Sequence, residues 1–230
     1  MPPYGGQPVD LGSNVYLDKL DRELESRGLR FVRYADDCNI FVKSEMAANR
    51  VMANVSSWLE RKLRLKVNAS KSKVVRPTNS TFLGFSFWKS QEGWKSRPAK
   101  DRKDRLCTKV KAILCRRRAA AVSLGYTFMK LNQVLRGWIN YFRIGSMKTW
   151  LKNDFGPWMR HKVRVVILKQ WKRPKTIYEK LMRLNITMKC GMTDEDIYKV
   201  ANSGLGWYRR SSMDVVNFLL SPKRRACLQS

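Results

Sequence analysis

Apolar positions along the chain change period several times, and each change marks an element. Residues 1–12 are dense in Pro and Gly and read as a loop. From 11 to 26, Val15, Leu17, Leu20 and Leu24 fall on one helical face, with Ser13 or Asn14 placed to cap it and Gly28 to end it. The pattern then becomes strand-like. Residues 31–34 and 39–42 are rich in β-branched and aromatic side chains with partial alternation, around a tight turn that holds Asp36 and Asp37. Ser44, with Glu45 behind it, opens a second helix whose apolar contacts are Met46, Val51, Val55, Trp58, Leu59 and Leu63. Short strands are expected at 65–68, 71–75 and 81–88. Helix, hairpin, helix and strands in this order describe an α+β unit with an antiparallel sheet.

Beyond Gly93 the strands give way to helical spacing. A basic helix is expected over 101–118, ending in Arg116, Arg117 and Arg118. A second over 128–142 carries Leu131, Val134, Leu135, Trp138, Ile139 and Phe142. A third over 147–172 is expected to bend at Gly156-Pro157, with Arg160, His161, Lys162, Arg164 and Lys169 on its polar face. Shorter helices are expected at 176–184 and 213–220. The tryptophans fall on core positions of these helices and read as packing.

Charge sharpens the picture. The chain of 230 residues has 47 basic and 18 acidic side chains, a formal net charge of +29. It is unevenly spread: residues 1–45 hold eight acidic and six basic side chains, net −2, leaving +31 on the remainder. Such a chain attracts polyanions, nucleic acid first. No apolar run is long enough to span a bilayer, the start is not that of a signal peptide, and the tryptophans do not gather on one basic amphipathic helix, so no membrane partner is expected. The five cysteines form no CxxC pair, which argues against zinc, and the lone His161 gives little support to histidine-based catalysis.

The one non-basic segment thus contains the adjacent Asp36 and Asp37. Asp is common in turns for local reasons alone. Two carboxylates on a hairpin tip, beside a cationic track, also suit Mg²⁺ and phosphoryl transfer, in which two metals about 3.5–4 Å apart stabilise the attacking and leaving oxygens.

Tyr34-Ala35-Asp36-Asp37 resembles the metal-binding motif of reverse transcriptases, and its surroundings narrow the resemblance. Residues 14–21 (Asn-Val-Tyr-Leu-Asp-Lys-Leu-Asp), the approach from Gly28 to Asp37, residues 65–73 and Phe82-Leu83-Gly84-Phe85 are similar to group II intron-encoded reverse transcriptase/maturases. Residues 135–142 (Leu-Arg-Gly-Trp-Ile-Asn-Tyr-Phe) resemble the signature of the family's maturase, or thumb, domain. The matches occur in family order. The resemblance implies a partial polymerase palm over 1–97, a mainly helical thumb/maturase domain over 98–190, and a basic tail over 191–230 with a possible DNA-binding role.

The resemblance also lends roles. Asp36 would be a metal-binding carboxylate of a two-Mg²⁺ site, assisted by Asp37. Tyr34 and Ala35 would line the meeting place of primer end and nucleotide. Lys71 would approach the nucleotide phosphates, and Phe82, Leu83 and Gly84 would grip the primer strand. Arg136, Asn140 and Arg143 lie in the maturase signature and, with Arg116, Arg117, Arg118, Arg160 and Lys162, are the expected RNA contacts. The partners implied are intron RNA and a DNA target, in a bacterial cytoplasm or an organelle.

Two departures qualify these roles. The family's Pro-Gln-Gly-Gly loop reads Pro3-Tyr4-Gly5-Gly6 here, so the glutamine's contact to template or nucleotide is missing. The family also needs an aspartate on an earlier strand, which Asp10, Asp18 and Asp21 do not match; Asp18 and Asp21 read as exposed helix residues. The chain is therefore expected to be truncated and inactive alone, either completed by a separate fingers/palm fragment in trans or a degraded relic. The alternative is a non-enzymatic RNA-binding or splicing module in which Asp36 and Asp37 are only a turn.

Overall fold

A computed structural model describes residues 11–221, and the chain divides into two compact units between Trp94 and Lys95. The 3–6 loop, Asp10, Cys227 and the basic end at 222–225 lie outside the described residues. The expected fold class holds: an α+β unit followed by a helical one.

The first unit begins with helix α1 (Leu11–Ser26). It starts ahead of Asn14, so Asn14 lies inside the helix and does not cap it. The other end follows the sequence closely. Gly28 takes φ +65°, its N–H donates to the Glu25 carbonyl at 2.8 Å, and the Leu29 N–H donates to the Leu24 carbonyl at 3.0 Å. This double closure is the glycine-dependent way to end a helix. Strands β1 (Arg30–Tyr34) and β2 (Asp37–Phe41) pair antiparallel, with Tyr34 opposite Asp37. Helix α2 (Glu45–Trp58) has the expected Ser44 cap, whose side chain accepts from the Ala47 N–H at 3.2 Å, and it runs on through a wide turn at Leu59–Leu63.

Leu20, Leu24, Val55 and Leu63 form the buried centre of this unit, with Leu17, Phe31, Cys38, Ile40, Val51 and Trp58 packed against it. Val15 and Met46 fit the helical pattern but stand outside this core, 70% and 71% exposed. Each sits near the start of its helix, beyond the reach of that centre.

The chain from 64 to 80 departs from expectation. Neither 65–68 nor 71–75 forms a strand. The Asn68 side chain accepts from the Ser70 N–H at 3.0 Å and the Lys71 N–H at 3.3 Å, folding the chain into a turn. That local bond competes with ladder formation. The single strand expected at 81–88 is two: β3 (Thr81–Phe82) and β4 (Phe85–Ser90), with Phe82 opposite Phe85. Leu83 and Gly84, both at positive φ (+51° and +80°), make the two-residue loop between them. Strand β5 (Gly93–Pro98) completes the order β3-β4-β5 and carries the chain onward.

The second unit is helical. Helix α3 (Lys100–Ile113) stops at Leu114, and Arg116 to Ala119 form a separate short turn, α4, so the long basic helix expected over 101–118 is two pieces. Helix α5 (Leu124–Phe142) starts four residues earlier than its apolar pattern, because Ser123 accepts from the Tyr126 N–H and caps it. Next come α6 (Lys148–Trp150), a wide turn at Leu151–Phe155 and α7 (Gly156–Trp171), so the helix expected over 147–172 changes its winding just before Gly156-Pro157. A Cβ on Gly156 would lie 2.6 Å from the Leu151 carbonyl oxygen, so the wide turn requires glycine. Helices α8 (Pro174–Thr187), α9 (Asp194–Ala201), α10 (Trp207–Arg210) and α11 (Asp214–Leu219) complete the unit.

Its core joins Leu106 and Val110 of α3, Leu131 of α5, Val163, Val166, Ile167 and Leu168 of α7 and Ile177 and Leu181 of α8. Ile197, Val200, Val216 and Leu219 belong to the same core, so residues 191–221 are built into the unit and do not trail from it. An aromatic run from Trp138 through Trp150 and Phe155 to Trp158, with centroids 5.0–5.7 Å apart, accounts for those tryptophans as packing. No helix among the described residues is long and apolar enough to cross a membrane.

Candidate functional site

Strand alternation sets what the acidic hairpin shows and hides. Phe31 and Arg33 of β1 face inward with Cys38 and Ile40 of β2, while Val32 and Tyr34 face outward beside Asp37. Ala35 and Asp36 form the two-residue loop, and Asp36, Asp37 and Tyr34 are all exposed.

Ala35 sits at φ +53°, a position where glycine is normally required. Arg33 holds it there. Its Nε donates to Asp21 Oδ1 at 2.7 Å and a terminal nitrogen to Asp21 Oδ2. The other terminal nitrogen donates to Asn14 Oδ1 at 3.1 Å and to the Ala35 carbonyl at 2.8 Å. One guanidinium thus ties the carboxylate-bearing loop to two positions on α1. The hydrogen bond with Asp21 raises the Arg33 pKa further above its ordinary value. Asp21 is therefore not the exposed helix residue expected; Asp18 is, paired with Arg22 on the surface.

Asn14 and Asp21 are one turn and three turns from the start of α1, and their partnership with Arg33 was missed in sequence. The available signal was an arginine at an inward position of a strand, which demands a buried acceptor. Beneath the loop, burial pushes the Cys38 thiol up to about 11, with the Asp21 charge adding to it.

Asp36 and Asp37 carry hard oxygen donors of the kind that could supply part of a cation's coordination sphere. Mg²⁺ keeps several waters and is held by one or two carboxylates plus substrate phosphates, so the pair fits that ion in part. Among the described residues no group of three His, Cys, Asp or Glu side chains gathers to hold a metal. Lys71 is exposed on the Asn68 turn, and Phe82, Leu83 and Gly84 lie at the β3–β4 loop. Among the described residues no hydrogen bond or ion pair joins Lys71, Phe82 or Gly84 to the acidic hairpin.

In the second unit the basic candidates fall into three places. Arg116, Arg117 and Arg118 are exposed along α4, and no carboxylate pairs with them among the described residues. Arg136, Asn140 and Arg143 share the exposed face of α5 with Met129, Asn132 and Gln133, on a helix that contains no acidic residue. Arg160 and Lys162 are half-buried on α7. Arg164, expected on the polar face of that helix, is buried instead, and its Nε donates to the Ser211 carbonyl at 3.0 Å. Helix α10 packs on α7, and the chain just past it, at Ser211, covers the guanidinium.

Comparison with known families matches both units. Residues 3–87 match the reverse transcriptase (RNA-dependent DNA polymerase) family, and residues 103–185 match the group II intron maturase-specific domain. No curated protein matches the chain. With both segments present in this order, the chain belongs to the group II intron reverse transcriptase/maturase family.

Proposed function

We propose that the chain binds intron RNA through its second unit and contributes Asp36 and Asp37 to a nucleotidyl-transfer site for RNA-directed DNA synthesis. The observation that carries this reading is the acidic hairpin itself: two exposed carboxylates on a strained loop that Arg33 clamps to α1, in a chain of net charge +29. Backbone strain persists where surrounding contacts over-determine it, and it concentrates at functional sites.

In this reading residues 1–97 are palm, 98–190 are the maturase domain, and the basic segment from 191 approaches the DNA target. Reverse transcriptases generally use Mg²⁺, and Asp36, with Asp37 beside it, would hold that ion. When bound, the metal neutralises charge on the phosphates and lowers the barrier to attack by the primer hydroxyl. The chain's own residues position the reactants. Tyr34 and Ala35 line the approach to the primer end, Lys71 offers a cation to the nucleotide phosphates, and Phe82, Leu83 and Gly84 present a loop to the primer backbone. Arg116, Arg117, Arg118, Arg136, Asn140, Arg143, Arg160 and Lys162 contact RNA phosphates and bases.

A second reading, an RNA-binding splicing module without polymerase chemistry, is favoured by one observation: no third acidic group joins Asp36 and Asp37 among the described residues. Primer extension on an RNA template with Mg²⁺ separates the two. The chain is assayed with and without a fragment that supplies fingers and a further aspartate. Extension that appears with the fragment and is lost in Asp36→Ala supports the polymerase reading. Tight RNA binding without extension, indifferent to Asp36→Ala, supports the splicing module.

A further inference from the structure

Two nearly buried guanidinium groups in the second unit have no carboxylate to balance them. Arg164 on α7 and Arg210 at the end of α10 are each 9% exposed. Arg164 Nε is spent on the Ser211 carbonyl, and Arg210 donates to the Ser203 carbonyl while its Nε has no partner. Among the described residues neither forms an ion pair. A buried charge served only by neutral acceptors is disfavoured unless an opposite charge arrives. Desolvation pulls both guanidinium pKa values below their ordinary range, and Arg160 adds to this at Arg164.

The groups around Arg164 add positive charge and hydroxyls. His161, three residues earlier on α7, lies between two serines: Nε2 is 3.3 Å from Ser211 Oγ, and Nδ1 is 3.2 Å from Ser212 Oγ. The Tyr208 ring packs on the imidazole with centroids 4.1 Å apart, and Lys162 Nζ stands 5.9 Å from the same ring. Burial, then Arg164 and Lys162, hold the His161 pKa below its ordinary value. Ser211 is buried and donates to the Tyr208 carbonyl at 2.8 Å, whereas Ser212 is exposed.

We propose that Arg164, Lys162, His161 and Ser212 form a phosphate-binding site that takes one phosphodiester of the RNA held by the second unit. The inference rests on the RNA-binding reading above and adds a place and a chemistry to it. His161 touches Ser212, Lys162 stands over the same Tyr208 ring as His161, and Arg164, one turn along α7, bonds the neighbouring Ser211; with no acid among them, these donors suit a tetrahedral oxyanion. The anion supplies the countercharge that the fold leaves out. The site also spans a boundary: α7 lies within the maturase-matched segment, whereas Tyr208 and Ser212 lie beyond its end at residue 185. RNA bound there would engage the C-terminal helices as well.

His161 is the only histidine in the chain, so its imidazole resonance is an unambiguous reporter. The full chain is titrated with a structured RNA hairpin while the His161 signal and its pH midpoint are followed. RNA should shift the signal and raise the midpoint, because a bound anion favours imidazolium. Ser212→Asp, an exposed change that places a carboxylate in the site, should raise the midpoint without RNA and weaken RNA binding by about tenfold, the loss expected for one charge-assisted phosphate contact. Lys162→Gln should reduce the slope of log affinity against log salt by about 0.7–0.9. Wild-type protein that binds RNA with the His161 signal and midpoint unmoved overturns the site and leaves the RNA-binding reading standing. Unaltered RNA affinity in Ser212→Asp also overturns the site. Wild-type protein that binds no RNA overturns both.

Discussion

The Arg33–Asp21 pair is open to a direct energetic test. Both side chains are mostly buried, 12% and 24% exposed, and they meet through two charge-assisted hydrogen bonds. Hydrogen bonds to charged groups contribute about 1.5–3 kcal/mol each when buried, and residual solvent contact reduces that, so a coupling of about 2 kcal/mol is expected for the pair. Arg33→Ala, Asp21→Ala and the double variant form a cycle that isolates this coupling. Asp21→Ala should cost the most, because it strands the more buried charge. Arg33→Lys should recover less than half, since an ammonium cannot reach Asp21, Asn14 and the Ala35 carbonyl together. Native-state hydrogen exchange of the β1 and β2 amides provides the readout; about 2 kcal/mol corresponds to roughly 30-fold faster exchange when local opening limits it. Single variants whose effects simply add, with coupling below about 0.5 kcal/mol, would refute the clamp.

Four further outcomes are expected. Leu83→Asn creates an Asn-Gly pair in a loop with both φ positive, and should stabilise the first unit by about 1 kcal/mol in denaturant titration while weakening primer extension, if Leu83 serves the primer. Gly156→Ala forces a Cβ against the Leu151 carbonyl and should destabilise the second unit by about 1–3 kcal/mol, read as a lowered thermal midpoint. Among Cys38, Cys107, Cys115 and Cys190, alkylation near pH 8 should reach Cys115 first, because it is exposed and the Arg117 and Arg118 N–H groups lower its pKa, and Cys38 last. The Cys38 thiol is raised from 9.0 to about 11 in the folded state, so the unfolded chain loses its proton first. Its stabilising contribution is complete below pH 9 and lost as pH rises to about 11, and Cys38→Ala should flatten that segment of the stability profile.

Much was determined by sequence alone, and the reason is locality. The period of apolar residues placed α1, α2 and the hairpin, since each buries one face against a neighbour close in the chain. Caps at Ser44 and Gly28 were legible because a helix end is satisfied within a few residues. The order of motifs from Asn14 to Phe142 identified the family, and net charge pointed to nucleic acid.

Tertiary structure decided whatever depends on distant partners. Val15 and Met46 carry the right period yet stay exposed, because periodicity names a face but not how far the core extends along it. Residues 65–75 favour strands by composition, but the Asn68 side chain closes a turn first. Arg164 looks like a surface cation until α10 packs on α7 and the Ser211 carbonyl, 47 residues away, takes its Nε hydrogen bond. Asp36 and Asp37 could be recognised in the sequence as the acidic pair. That their loop is strained, and that Arg33 holds it against Asn14 and Asp21, follows only from the fold, because a hydrogen bond across 12 or 19 residues leaves no local pattern to read.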